Sequence, residues 1–281
     1  MTPVLLDILR LPILEVVAVG ALCGLVGALA VMRGRVFFAE SVTHGTFPGA
    51  VLGVVVGAAL GADQQSLSVW LFAGAFAMCV PLAWLMRGLS RIRGISPQAA
   101  AGIVLTFGFA LGYFLAKWFA PLPLQITSFL TGSLLHVNVA DVAAAATVLA
   151  LATALVVFRG RHLVALSFDE DGFRAHGGRV ELAEGAILAL VVLTTVVVIP
   201  AVGTVLSLAL LAAPAASLKP WAPSALSLVV WSPLLGAGLG LLGLGVAVIA
   251  DLSAGGTIAV LAGITYLGAT GAHRFRLRIA R

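Results

Sequence analysis

The chain has 281 residues, of which 61% are hydrophobic and only 10% charged, and its mean hydropathy is +1.15. A soluble globular domain carries about a quarter charged residues, so a soluble fold is excluded. The net charge of +5 does not point to nucleic acid, because the basic residues sit at the ends of apolar runs, where they orient membrane spans.

Charge-free runs recur at Val16–Met32, Leu67–Met86, Val142–Phe158 and Gly185–Leu218. Each can cross a hydrocarbon core of ~30 Å, which takes roughly 20 helical residues. The expected fold is all-α and polytopic, a single transmembrane domain over residues 1–281 with about nine crossings. Short spans leave eight or ten open. Alternating segments of the β-barrel kind are not seen. Asp7 precedes the first run and no signal-peptidase site is evident, so no cleavage is expected.

In chain order, the first span is expected at about Ile13–Val31, ahead of Arg33 and Arg35. The second covers about Phe37–Ala62 and ends at Asp63-Gln64-Gln65-Ser66. The third, about Leu67–Met86, leads to Arg87, Arg91 and Arg93. Pro97 opens the fourth, about Gln98–Phe119, at the first helical turn where proline does least harm. A Pro-containing connection, Pro121–Asn138, precedes the fifth span, about Asp141–Phe158. The polar segment Arg159–Glu184 follows, then spans at about Gly185–Pro200 and Gly203–Ser217. The last two are expected at about Ser224–Ala250, stopping at Asp251, and Gly256–Gly271, before a basic tail.

With the N-terminus outside and the C-terminus in the cytoplasm, all of the 16 Lys and Arg residues except Arg10 and Lys117 fall on the cytoplasmic side. That asymmetry sets the orientation. Cys23 and Cys79 lie in apolar runs without metal-type spacing and are expected as buried thiols.

Packing has its own signature. Gly45, Gly49, Gly53, Gly57 and Gly61 recur every fourth residue along the second span, extended by Ser41. Such a row is a smooth ridge against which another helix backbone packs closely. Gly236 and Gly240 repeat the pattern. Pro48 with its flanking glycine is expected to break the second span, and broken membrane helices tend to line substrate sites.

A few polar residues carry candidate chemistry. Glu40 and His44 lie one helical turn apart on one face, inside apolar sequence. An oxygen and a nitrogen donor that converge suit a divalent metal, and an intramembrane acid also suits proton handling. The competing reading is an ion pair of Glu40 with Arg33 or Arg35 near the headgroups. Asp251 is either an exposed acid favoured by a helix N-terminus or a ligand. Asp141 reads as a cap, His136 as a loop residue, and His162, His176 and His273 as solvated surface. The segment from Leu166 to Gly178 reads as a turn or two of helix, acidic at Asp169, Glu170 and Asp171 and basic at Arg174. Phe168 and Phe173 are its apolar anchors, and it is either a plain loop or a docking element. No Walker-type phosphate loop, His-Glu-x-x-His or Gly-x-Ser-x-Gly element is present, so an enzyme is not expected.

Six blocks in order resemble one family. They are Phe38-Ala39-Glu40-Ser41-Val42-Thr43-His44 with Pro48-Gly49, Ala101-Gly102-Ile103-Val104, and Phe129 to Leu135. Phe168-Asp169 to Gly177, Val202 to Ala216, and Asp251 with Ser253 to Gly256 complete the series. Together they resemble the permease subunits of ABC importers for zinc, manganese and iron.

The resemblance implies a permease of the cell membrane that pairs with a second copy. It would couple to cytoplasmic ATPase subunits and receive metal from an extracytoplasmic binding protein. It implies no permanent cofactor, only a transported divalent ion, zinc or manganese. Glu40 and His44 match the family's acid-x-x-x-His pair, in which the acid is usually Asp. Asp251 becomes a separate gate or entry residue, since the topology puts it towards the opposite side. Phe168, Asp169, Glu170, Phe173, Arg174 and Gly177 match the element that couples to the ATPase. Gly45, Pro48, Gly49, Gly53 and Gly57 are expected to pack the span carrying the pair. The runner-up expectation is a proton-coupled secondary carrier, and a non-transporting scaffold is the third.

Overall fold

The computed structural model describes residues 3–122, 134 and 137–279, and among them there is helix and no strand. The helices are α1 (Pro3–Arg33), α2 (Val36–Gly45), α3 (Phe47–Ala59), α4 (Gln64–Ser90), α5 (Pro97–Trp118) and α6 (Val139–Phe168). There follow α7 (Glu170–Ala175), α8 (Val180–Val202), α9 (Thr204–Leu218), α10 (Ala225–Ala250) and α11 (Ala254–Ile279). Eight stretches among the described residues are long and apolar enough to cross a membrane, with α2 and α3 counted as one. The expected seventh span is α9. Its 15 residues reach only ~22 Å at 1.5 Å per residue, short of a ~30 Å core. This is the whole difference between eight and nine.

Helix ends follow local chemistry. Asp63 accepts from Ser66 N at 3.3 Å, and Ser96 accepts from Ala99 N at 3.1 Å just before Pro97. Asn138 and Asp141 form a reciprocal capping box on α6, as the sequence suggested for Asp141. Each such cap is worth about 1 kcal/mol. The ends differ from expectation where no breaker is present. α6 runs on to Phe168 before Asp169 turns extended, and α11 carries Arg274, Arg276 and Arg278 on to Ile279.

The chain packs as two compact units, Met1–Val36 with Thr131–Arg281, and Phe37–Leu130. In the first unit α1 is the central helix, with Leu22, Val26 and Leu29 fully buried and α6, α8, α9 and α10 packed around it. A Cβ on Gly20 would lie 2.5 Å from Gly236 O on α10. The two backbones therefore touch, and only glycine allows it. Cys23 is buried as a free thiol. α8 ends at Gly203, whose φ of 84° is open to glycine and strained for other residues, and α9 starts immediately after it.

In the second unit α3 packs on α4 along the glycine row. A Cβ on Gly49 would meet Gly74 O at 2.3 Å, and one on Gly53 would meet Trp70 O at 2.1 Å. Gly45 faces the Leu82 side chain and Gly57 the Trp70 ring, so all four serve the expected close approach. Gly61 does not, since nothing lies within 4 Å of it. Its φ of 76° ends α3, with Ala62 N donating to Gly57 O at 3.0 Å in a Schellman-type stop. Cys79 is also a buried free thiol.

Candidate metal-handling site

The second span is broken as the sequence suggested. α2 ends at Gly45 and α3 begins at Phe47, with Pro48 in its first turn. Pro48 has no N–H to give the His44 carbonyl, its i−4 acceptor. That one bond is missing next to the polar pair, while hydrogen bonds from Thr46 N to Val42 O, 2.9 Å, and Ala50 N to Thr46 O, 3.0 Å, hold the two pieces together.

α2 is fixed from several sides. Ser41 Oγ lies 2.7 Å from Ala101 O on α5 and 2.8 Å from Phe37 O. A Cβ on Gly108 would be 2.6 Å from Gly45 Cα, so α5 also touches α2 at the residue after His44. Phe109 of α5 meets the His44 ring edge-on at 5.8 Å and stacks on Phe47 at 6.0 Å.

Within this frame Glu40 and His44 are both half-buried on one face of α2. His44 Nδ1 lies 3.2 Å from the Glu40 carbonyl oxygen. A carbonyl only accepts, so Nδ1 is the donor in this contact, which in the neutral ring leaves the Nε2 lone pair free. This is the arrangement that orients a histidine for a metal. Among the described residues Glu40 has no ion pair, and the two arginines that could have claimed it are committed elsewhere. Arg33 pairs with Glu170 and, at 3.4 Å, with Glu184, while Arg35 pairs with Glu184.

Asp251 belongs to the other unit. It is exposed, in a left-handed conformation (φ 54°, ψ 45°) that caps the end of α10. Ser253 then accepts from Gly256 N at 3.4 Å at the start of α11. Among the described residues no three His, Cys, Asp or Glu side chains gather as a metal cage. The block from Phe129 to Leu135 and the loop residue His136 lie outside the described residues, apart from Leu134, which is buried.

The 168–177 segment forms a six-residue helix, α7. Asp169 Oδ1 accepts from Gly172 N at 2.8 Å, the acids Glu170 and Asp171 open it, and Arg174 lies in its last turn. Glu170 joins it to the end of α1 through Arg33, which also donates to Leu166 O at 3.2 Å. The Arg33 hydrogen bond holds the Glu170 carboxyl below the usual carboxylate range. Phe168 is 73% exposed. Phe173 instead folds back on the His162 ring and fills the space beside Gly178, so of the two phenylalanines Phe168 is the one turned outward. Gly177, at φ 79°, turns the chain towards α8.

One residue escaped the sequence reading. Glu15, on α1, is fully buried, and among the described residues neither carboxylate oxygen has a hydrogen-bond partner. Its signal was available: an acid among the apolar residues of a spanning helix. The uncharged run Val16–Met32 begins just after it, so the acid sits at the edge of the run.

Comparison with known proteins agrees with this architecture. A probable metal transport system membrane protein of Thermotoga maritima is 30% identical over 89% of this chain and 85% of its own length. The zinc transport system membrane protein TroC of Treponema pallidum is 31% identical over 76% of this chain and 71% of its own. The manganese import system permease protein ScaB of Streptococcus gordonii is 25% identical over 91% and 87%. Among solved structures, PsaBC from Streptococcus pneumoniae in complex with Fab superposes with a TM-score of 0.80 at 26% identity. That match covers 93% of this chain and 90% of the other. The ABC 3 transport family model matches residues 6–272, nearly the whole molecule, and the chain is a member of that family.

Proposed function

We propose that this chain is the membrane permease subunit of an ATP-driven importer for a divalent transition metal, zinc or manganese. Family membership supports the transporter class, and the metal follows the relatives, which are named for manganese and zinc transport. The observation that carries the reading to a site is the pair on α2. It offers a carboxylate without an ion pair among the described residues and an imidazole whose Nδ1 is tied to the Glu40 carbonyl, beside a helix break. Two ligands suit an ion in passage better than a closed cage, because a conducting site must also release.

The remaining parts of the reading are an ATPase docking on α7 through Phe168, a second permease copy, and a binding protein that delivers metal from outside. In this reading the N-terminus is outside and the C-terminus in the cytoplasm, following the distribution of Lys and Arg. That takes an odd number of crossings, with the short α9 completing the ninth beyond the eight full-length spans. ATP hydrolysis belongs to the partner subunit. Asp251, in a turn at the far end of α10 from the N-terminal cap at Ser224, has a role at entry rather than in the pair. The family match disfavours a proton-coupled secondary carrier. The test is co-purification with an ATPase and metal uptake that depends on it, and uptake that survives removal of the ATPase would overturn the reading.

A further inference from the structure

A cleft of about 860 Å³ opens in the first unit between the end of α6, helix α7 and the start of α8. Its polar lining includes Arg159, Arg161, Arg179, His162 and His176, and among the described residues no Asp or Glu lines it. Its apolar wall includes Leu155, Leu182 and Ala186. Ion pairs among the described residues engage Arg33, Arg35 and Arg174 but none of the three cleft arginines. The acids of the flanking helices are engaged elsewhere or lie outside the lining. Glu184 pairs with Arg33 and Arg35, Glu170 with Arg33 and Arg174, and Asp171 with Arg174. Asp169 accepts from Gly172 N, and Glu181 is outside the lining.

The position of the cleft along the bilayer normal follows from helix lengths. α6 has 30 residues, ~45 Å at 1.5 Å each, against the ~30 Å of a hydrocarbon core. Counting roughly 20 residues from its capped start brings the core boundary to Phe158, which is 80% exposed, as is Val157 at 73%. Arg159, Arg161 and His162 follow at headgroup depth. On α8, Arg179 immediately precedes the apolar span Val180–Ile199. The cleft thus sets unpaired guanidiniums at headgroup level above a greasy wall that runs towards the acyl chains. Guanidinium groups match phosphate oxygens in a fixed fork, and basic pockets between membrane helices suit anionic headgroups.

We propose that this cleft binds the phosphate headgroup of an anionic phospholipid, with an acyl chain lying along Leu155, Leu182 and Ala186. The inference rests on the helices spanning a bilayer and not on the identity of the cargo, so it stands or falls separately from the metal reading.

The test uses the full chain in neutral detergent, titrated with fluorescent phosphatidylglycerol at low salt. Changing Arg159, Arg161 and Arg179 together to Gln is expected to weaken binding ~100-fold. The triple Lys variant keeps the charges and loses the forks, so it should bind more weakly than the native chain and more tightly than the Gln triple, and that retained binding would show that the cleft still folds. Changing Arg87, Arg91 and Arg93 of the other unit to Gln should leave binding unchanged. Equal loss in the two Gln triples would reduce the effect to bulk charge and overturn the proposal, as would no loss in either. Inorganic phosphate should fail to displace the lipid at millimolar concentration, and full displacement would mean a soluble-anion site instead. If the cleft triple keeps lipid but no longer co-purifies with an ATPase, the cleft is a protein interface and the proposal is wrong.

Discussion

Gly49→Val on α3 tests the packing that holds the broken span. A Cβ at Gly49 would sit 2.3 Å from Gly74 O and 2.5 Å from Met78 Cβ, where ordinary contact begins at 3.4 Å. The opposing surface at Gly74 is backbone, so it cannot rotate away, and α3 and α4 must part by about 1 Å. Overpacking of this kind costs ~1–3 kcal/mol, and each kcal/mol moves a midpoint by roughly 2–4 °C in a domain of this size. The expected loss is therefore about 2–12 °C in a thermal melt of the detergent-purified chain. Gly102→Val on α5 is the matched control, since nothing lies within 4 Å of that glycine and its midpoint should hold within ~2 °C. Equal shifts in the two variants would mean that the damage comes from valine in a helix and not from backbone contact.

Other expectations concern the polar groups. In the assembled transporter, His44→Ala and Glu40→Gln should each lower metal uptake at least ~10-fold, the low end for disturbing a metal ligand or its support, while ATPase co-purification is unchanged. Loss of co-purification would point to misfolding rather than a transport role. Glu170 is held below its ordinary value of 4.5 by Arg33, so the tie between α7 and α1 is at full strength above about pH 4.5 and fades as pH falls towards the lowered value. A Phe168→Trp reporter should show constant emission from pH 7 to 5 and a change only below that, and Glu170→Gln should abolish the acid transition. Glu15→Gln keeps the shape of a buried, unpartnered side chain and removes the possibility of an unpaired buried charge. At pH 8 it should raise the melting midpoint by about 2–4 °C, equivalent to ~1 kcal/mol, and a fall would mean that Glu15 holds a partner.

Much of the architecture was legible because membrane spans write themselves as long apolar runs closed by charge. The break at Pro48 and the ridge of Gly45, Gly49, Gly53 and Gly57 were readable for the same reason: each residue type has a single local consequence, a missing N–H or a missing side chain. What could not be read depended on partners distant in sequence. Whether Glu40 pairs with Arg33 or Arg35 is decided by Glu170 and Glu184, well over a hundred residues on, which take both arginines. Phe173 looked like a second outward anchor and turns inward because His162 and Gly178 offer it a place. Gly61 fitted the spacing of its row but serves as a helix stop, since periodicity does not reveal where the neighbouring helix ends. Glu15 shows the opposite error, a residue lost at the edge of a run.

In the function proposed above, a divalent metal crosses the membrane along the Glu40/His44 face, driven by a partner ATPase. The most direct measurement is uptake of radioactive manganese and zinc into proteoliposomes holding the permease with its ATPase and binding protein, with ATP at the ATPase side. Accumulation of at least one metal is expected, dependent on ATP hydrolysis and lost in the His44→Ala complex. Uptake that proceeds without ATP, or that persists undiminished in His44→Ala, would contradict the account.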